Sequence, residues 1–237
     1  MTVTIDTSIL DAIEAAPIPY NLYGEVHKGL RHALFALTEA AGSLDAAEAE
    51  ARTDLAARVT ATVELFHSHH AHEDDFVKPL LDEAAPELSS IVDAGHEVID
   101  QLLDGLVRRA VDLEQSTGAD AVVTSLSLYY ELATFTARYL DHMAFEEGDV
   151  MAALRSAVTT AELFELDMAL RQSIDPVTMC RFITIMAPAV NPDELAAMLG
   201  GMKAGAPLEI FEMFRSTAEA ALASDDYAAV AARIGLA

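Results

Sequence analysis

Apolar residues in this chain recur every three or four positions along four long stretches, and the strict alternation of a β-strand is hard to find. That spacing matches the α-helical turn of about 3.6 residues, so each stretch buries one face by packing as a helix. Val26, Leu30, Leu34 and Leu37 set the pattern between Tyr20 and Ala41, and Leu55, Val59, Val63 and Phe66 carry it between Ala46 and Phe76. A third stretch from Pro86 to about Gln115 holds Leu88, Ile91, Val92, His96 and Ile99. The fourth, from Asp120 to about Ser156, holds Val123, Leu126, Tyr130, Phe135 and Leu140. Pro19 suits a first helical turn, Gly42 a helix stop and Asp120 an N-cap, and Pro79 is expected to end or kink the second helix.

Four such helices with short connections predict an all-α fold, an antiparallel up-down four-helix bundle. After Val158 the pattern shortens, and Asp175-Pro176, Asn191-Pro192 and Ala206-Pro207 each resemble the start of a helix of two to four turns. The expected organisation is a lead-in over 1–19, the bundle over 20–157 and a C-terminal helical extension over 158–237 packed on the bundle. The stripe Leu208, Phe211, Met213 and Phe214 suits internal core or an interface, so the chain is expected as a monomer or as a homodimer through these C-terminal helices. Met179, Met186, Met198, Met202 and Met213 read as apolar filler, and Cys180, the only cysteine, as a buried small hydrophobe.

Charge narrows the partners. Fourteen Lys and Arg against 39 Asp and Glu give a formal net charge of -25. A nucleic-acid binder needs a basic footprint to displace counterions from phosphates, and anionic membrane surfaces repel such a chain. No nucleic acid and no membrane partner is expected. A single cysteine excludes an intrachain disulfide and a cysteine-built zinc or iron–sulfur site. The acidic N-terminal residues are unlike a signal peptide, and no apolar run has spanning length, so a cytoplasmic location is expected.

The histidines carry the chemistry. All eight precede the C-terminal extension, and each of the four long stretches holds at least one. In the second, His69 and Glu73 stand four residues apart, about 40° around a helix, and His70 falls about 60° on the other side of Glu73. The fourth repeats the arrangement as His142 and Glu146. With His27 on the first helix and His96 on the third, imidazoles and carboxylates converge from all four. Burying them together is costly unless an ion satisfies them, and this donor set suits iron, zinc, copper or nickel, with a carboxylate able to bridge two ions.

The pattern His27…His69-His70-x-x-Glu73…His96…His142-x-x-x-Glu146 resembles the hemerythrin-like, cation-binding (HHE) domain. His27-Lys28-Gly29-Leu30-Arg31, Pro79-Leu80 and His96-Glu97 add to the likeness, which covers about residues 20–157. The resemblance implies a non-heme di-iron site with metal ligands His27, His69, Glu73, His96, His142 and Glu146, and with His70 as a further candidate. It also implies two iron ions bridged by Glu73, Glu146 and an oxide or hydroxide, with zinc or manganese as other occupants. Two departures separate the chain from the oxygen carriers of that family. Asp100 stands where they have a second third-helix histidine, and their fourth-helix acid falls one residue later, at Glu147 here. Asp100 can ligate in place of that histidine, or His70 can fill the position.

The function expected from this set is the handling or sensing of dioxygen, peroxide or nitric oxide, or of iron, with a small diatomic or peroxide ligand as partner. This is a binding role more than a dedicated enzyme's. Alternatives on the same residues are a peroxide- or superoxide-processing di-iron enzyme, a ferritin-like iron oxidase and a metal-stiffened protein-interaction module. The ferritin-like pattern would use Glu64 with His67 and Asp93 with His96. A zinc protease is rejected because His96-Glu97 lacks a second histidine. Tyr23 and Tyr139 are read as core or pocket lining, Arg31 as a partner for a carboxylate, and Glu97 and Glu147 as acceptors for ring N–H groups or as solvated residues.

Overall fold

In the computed structural model, which describes residues 13, 15 and 19–236, every regular element among the described residues is helical. Most of the expected lead-in lies outside the described residues. The chain divides into two compact units: one holds residues 34–172 with the described residues before Gly24, the other Gly24–Ala33 with residues 173–236.

Helix α1 spans Gly24–Gly42. It starts later than Pro19 suggests, because the Asn21 side chain accepts the Tyr23 N–H and holds the chain in a turn. Helix α2, Ala49–His72, passes without a break into a π-helical turn over Glu73–Val77 and then into α3, Lys78–Ala84. Pro79 therefore neither ends nor breaks this run. It falls in the first turn of α3, where a missing N–H costs little. Pro86 opens α4, Pro86–Gln115. Gly118, at φ 57, turns the chain into α5, Gly118–Phe145, in a conformation that side chains with a β-carbon resist. A second π-helical turn, Glu146–Val150, joins α5 to α6, Met151–Ala157. Helix α7, Thr160–Ser173, follows.

In the first unit α4 packs against both α2 and α5, and α3 against α6. Leu22, Val77, Leu81, Val150, Met151, Leu154 and Leu163 close into one apolar cluster with Tyr23. Val77, Leu81, Val150 and Leu154 come from the segments that follow the two π turns, so this cluster anchors the residues just beyond both acids.

The second unit contains α8 (Pro176–Met186), α9 (Pro192–Gly205), α10 (Leu208–Ala221) and α11 (Ser224–Arg233). Asp175 caps α8 by accepting two backbone N–H groups, and Asn191 with Glu194 forms a capping box on α9. Phe182, Ile183, Leu199, Phe211, Phe214 and Val230 are in its core, whereas Leu208 is exposed. Cys180 is half-buried rather than buried, because α8 turns Met179, Phe182 and Ile183 inward instead. Lys28 and Glu194 pair at 2.6 Å within this unit. No described helix is long and apolar enough to cross a membrane.

Candidate metal centre

The site begins with two short spacings. His69 lies in the last turn of α2 and Glu73 opens the π turn that follows; His142 lies in the last turn of α5 and Glu146 opens the other. Four residues of helix bring each ring over its own acid: His69 Nε2 is 3.2 Å from Glu73 Oε1, and His142 Nε2 is 3.0 Å from Glu146 Oε1. His96, from α4, stands between the two acids. Its Nε2 lies 3.3 Å from Glu73 Oε2 and 3.5 Å from Glu146 Oε1. Both carboxylates are buried, Glu146 to 1% exposure and Glu73 to 5%.

Both oxygens of Glu73, His96 Nε2 and His142 Nε2 are buried without a hydrogen bond. Orphan polar atoms of this kind are rare in a folded core, because each forfeits its hydration. Nitrogen and oxygen lone pairs facing a shared space are, however, the arrangement a cation satisfies, and imidazole with carboxylate suits iron, manganese or zinc. Within the first unit two sets of ligand atoms lie within 4.8 Å of one another: His70, His96 and His142; and Glu73, His96 and Glu146. Five of the seven residues singled out from the sequence fall in these two sets, and His69 faces Glu73, whereas His27 lies on α1 within the other unit.

Outer carboxylates fix the rings. His96 Nδ1 is 3.3 Å from Asp74 Oδ1, and His70 Nδ1 is 2.8 Å from Asp100 Oδ1. His70 Nε2 is 3.1 Å from the Tyr139 hydroxyl, and the His70 and His96 rings stack at 4.2 Å. Such partners set which ring nitrogen carries the proton and so which one is left to bind. Asp74 was not apparent from the sequence, where its only signal is adjacency to Glu73. Of the two readings of Glu97, the solvated one holds: it is exposed, since α4 turns it away from His96. Glu64 is exposed and Asp93 is paired with Lys78 at 2.8 Å, so neither acid of the ferritin-like pattern joins the site. His32 is exposed, and His67 lies half-exposed between Asp100 and Asp104.

Protonation follows from the burial. Desolvation and the neighbouring charge of Glu146 raise Glu73 to about 8. Burial opposes a charged His96, but the carboxylates of Glu146 and Glu73 outweigh it and raise the ring to about 10. Burial lowers His70 despite its bond to Asp100, which favours the neutral ring. Burial, together with the charges of Glu73 and Glu146, pushes the Tyr23 and Tyr139 hydroxyls well above their ordinary range, so both remain protonated donors. Without an ion, the centre therefore holds protons in its place.

Compared with known families, residues 19–154 match the family model described as the hemerythrin HHE cation binding domain. No curated protein and no solved structure matches the chain.

Proposed function

The chain belongs to the hemerythrin HHE cation-binding domain family, and from that membership and the site's donor set we propose that it is a di-iron protein handling or sensing dioxygen, peroxide or nitric oxide. In this reading the four long helical runs form an antiparallel bundle around two iron ions. Glu73 and Glu146 would hold them, with His27, His69, His70, His96 and His142 as the nitrogen donors.

The observation that carries the proposal is the pair of buried acids facing His69, His96 and His142 at 3.0 to 3.5 Å, with both Glu73 oxygens and the Nε2 atoms of His96 and His142 forming no hydrogen bond. Iron bound there would supply redox chemistry toward a small ligand. The protein residues do the rest. Asp74 and Asp100 hold the rings of His96 and His70, and the apolar cluster below Val77 and Val150 keeps bulk water from the acids. Tyr139, fully buried, keeps a hydroxyl donor beside His70.

Metal content and the visible spectrum of aerobically purified protein test this. About two irons per chain with absorption of ferric ions bridged by oxygen, both lost in a His69→Ala, His142→Ala double variant, are expected. A protein that holds no stoichiometric metal after loading with iron, manganese or zinc overturns the reading. Azide and peroxide titrations then separate a binding protein from a catalyst: saturable spectral shifts mark the first, and oxygen release from peroxide marks the second.

A further inference from the structure

We propose that Asp100 is a positioning residue rather than a metal ligand, and that it fixes His70 as the third imidazole beside His96 and His142 at one of the two metal positions. The inference rests on the di-iron reading above and deepens it.

Geometry separates the two residues. Asp100 points its Oδ1 at two imidazoles, 2.8 Å from His70 Nδ1 and 3.2 Å from His67 Nδ1, and its side chain is 42% exposed. It belongs to neither of the two convergent sets, whereas His70 belongs to one and is only 2% exposed. A carboxylate only accepts, so the short contact places the His70 proton on Nδ1 and leaves Nε2 with its lone pair. That lone pair faces the Tyr139 hydroxyl and lies within 4.8 Å of the ligand nitrogens of His96 and His142. The stacking of His70 on His96, at 4.2 Å and 11°, fixes the plane of the ring as Asp100 fixes its rotation. The three rings then present nitrogen to one point. Tyr139 is free to release Nε2 when an ion takes it, because a hydroxyl rotates to another acceptor at little cost.

Metal titrations of the full chain with iron or manganese, run on wild type, Asp100→Ala, Asp100→Asn, His70→Ala and the Asp100→Ala, His70→Ala double variant, test the assignment. Asp100→Ala is expected to weaken one of the two metals about 10- to 100-fold, the range found when an outer partner of a ligating histidine is lost. Asp100→Asn, which still accepts from Nδ1–H, is expected to recover most of that loss. In the His70→Ala background, removing Asp100 should change nothing further. Nitrogen-15 NMR of the His70 ring in metal-free wild type should show the Nδ1–H tautomer, and Asp100→Ala should disturb it without changing the metal-free melting temperature. Unchanged affinity in Asp100→Ala, an equal further loss in the His70→Ala background, or an Nε2–H tautomer in wild type would each overturn the proposal. A wild type that binds no metal overturns the di-iron reading instead, and the tautomer still reports on Asp100.

Discussion

A β-carbon added to Gly95 would stand 3.3 Å from Nδ1 of His142 and 3.5 Å from its Cε1. Helix α4 carries no side chain there because the ring from α5 fills the space. Gly95→Ala therefore pulls in two directions. Alanine in a helix interior is favoured over glycine by about 1 kcal/mol, while the new methyl must displace a ring aimed at Glu146. The metal-free protein is expected to melt at the same temperature or higher, and metal affinity to fall about tenfold, the low end of what a misoriented ligand costs. Melting curves without metal and competition titrations with it check both signs; unaltered affinity would mean that the ring yields without leaving its position.

Glu73→Gln keeps the volume and removes the charge. The metal-free variant is expected to lose none of its stability at pH 8 and above, where the wild-type acid ionises in a buried site at a cost that the neutral amide avoids. Bound metal should drop from about two ions per chain to one or none, because an amide is a poor bridge between cations. Elemental analysis beside a chemical melt of the apo variant tests it.

Stability without metal should also depend on pH. Glu73, raised to about 8, and His96, raised to about 10, both bind more protons folded than unfolded. Stability then falls as pH rises, from about 4.5 to 8 through Glu73 and from about 6.5 to 10 through His96. Denaturant midpoints of the metal-free protein should decline steadily from pH 5 to 10. Those of the loaded protein should decline less, since an ion does the work of those protons. A flat metal-free profile would contradict the assigned protonation.

Asn191→Ala removes the cap of α9, whose side chain accepts from Asp193 and Glu194. A loss of about 1 kcal/mol is expected in equilibrium unfolding, with metal stoichiometry unchanged. Elemental analysis of the folded variant checks the second point.

Much of this was legible in the amino-acid order because the signals were local. Helical period, the Asp175-Pro176 and Asn191-Pro192 starts, and the two His-x-x-x-Glu spacings each need only a few neighbouring residues to read, and the elements appear near where those signals stand. What escaped depends on how a side chain turns once packed. Asp74 faces His96 and Glu97 does not, a choice made by the rotation of α2 against α4 rather than by adjacency to a ligand. Pro79 misled because its cost was assessed for an unbroken α-helix, and the π turn before it resets the helix so that proline occupies a first turn. A usable signal for that turn was present. His69, Glu73, Val77 and Leu81 step by four, as do His142, Glu146, Val150 and Leu154, and every one of these eight is buried or nearly so.

Three such steps would drift about 120° around an ordinary α-helix, so a shared face demands the wider turn at each acid. The five residues of each turn thus act as a spacer whose length matters more than its spelling, and indeed Glu73–Val77 and Glu146–Val150 share only their first and last residues. Losing one residue while the wide turn is kept would swing everything beyond it by about 100°, taking Leu81 or Leu154 out from under the acid it supports. Substitutions at Asp75 or Asp149 should be borne lightly by comparison. Over evolutionary time this part of the chain is thus open to changes of letter and closed to changes of count.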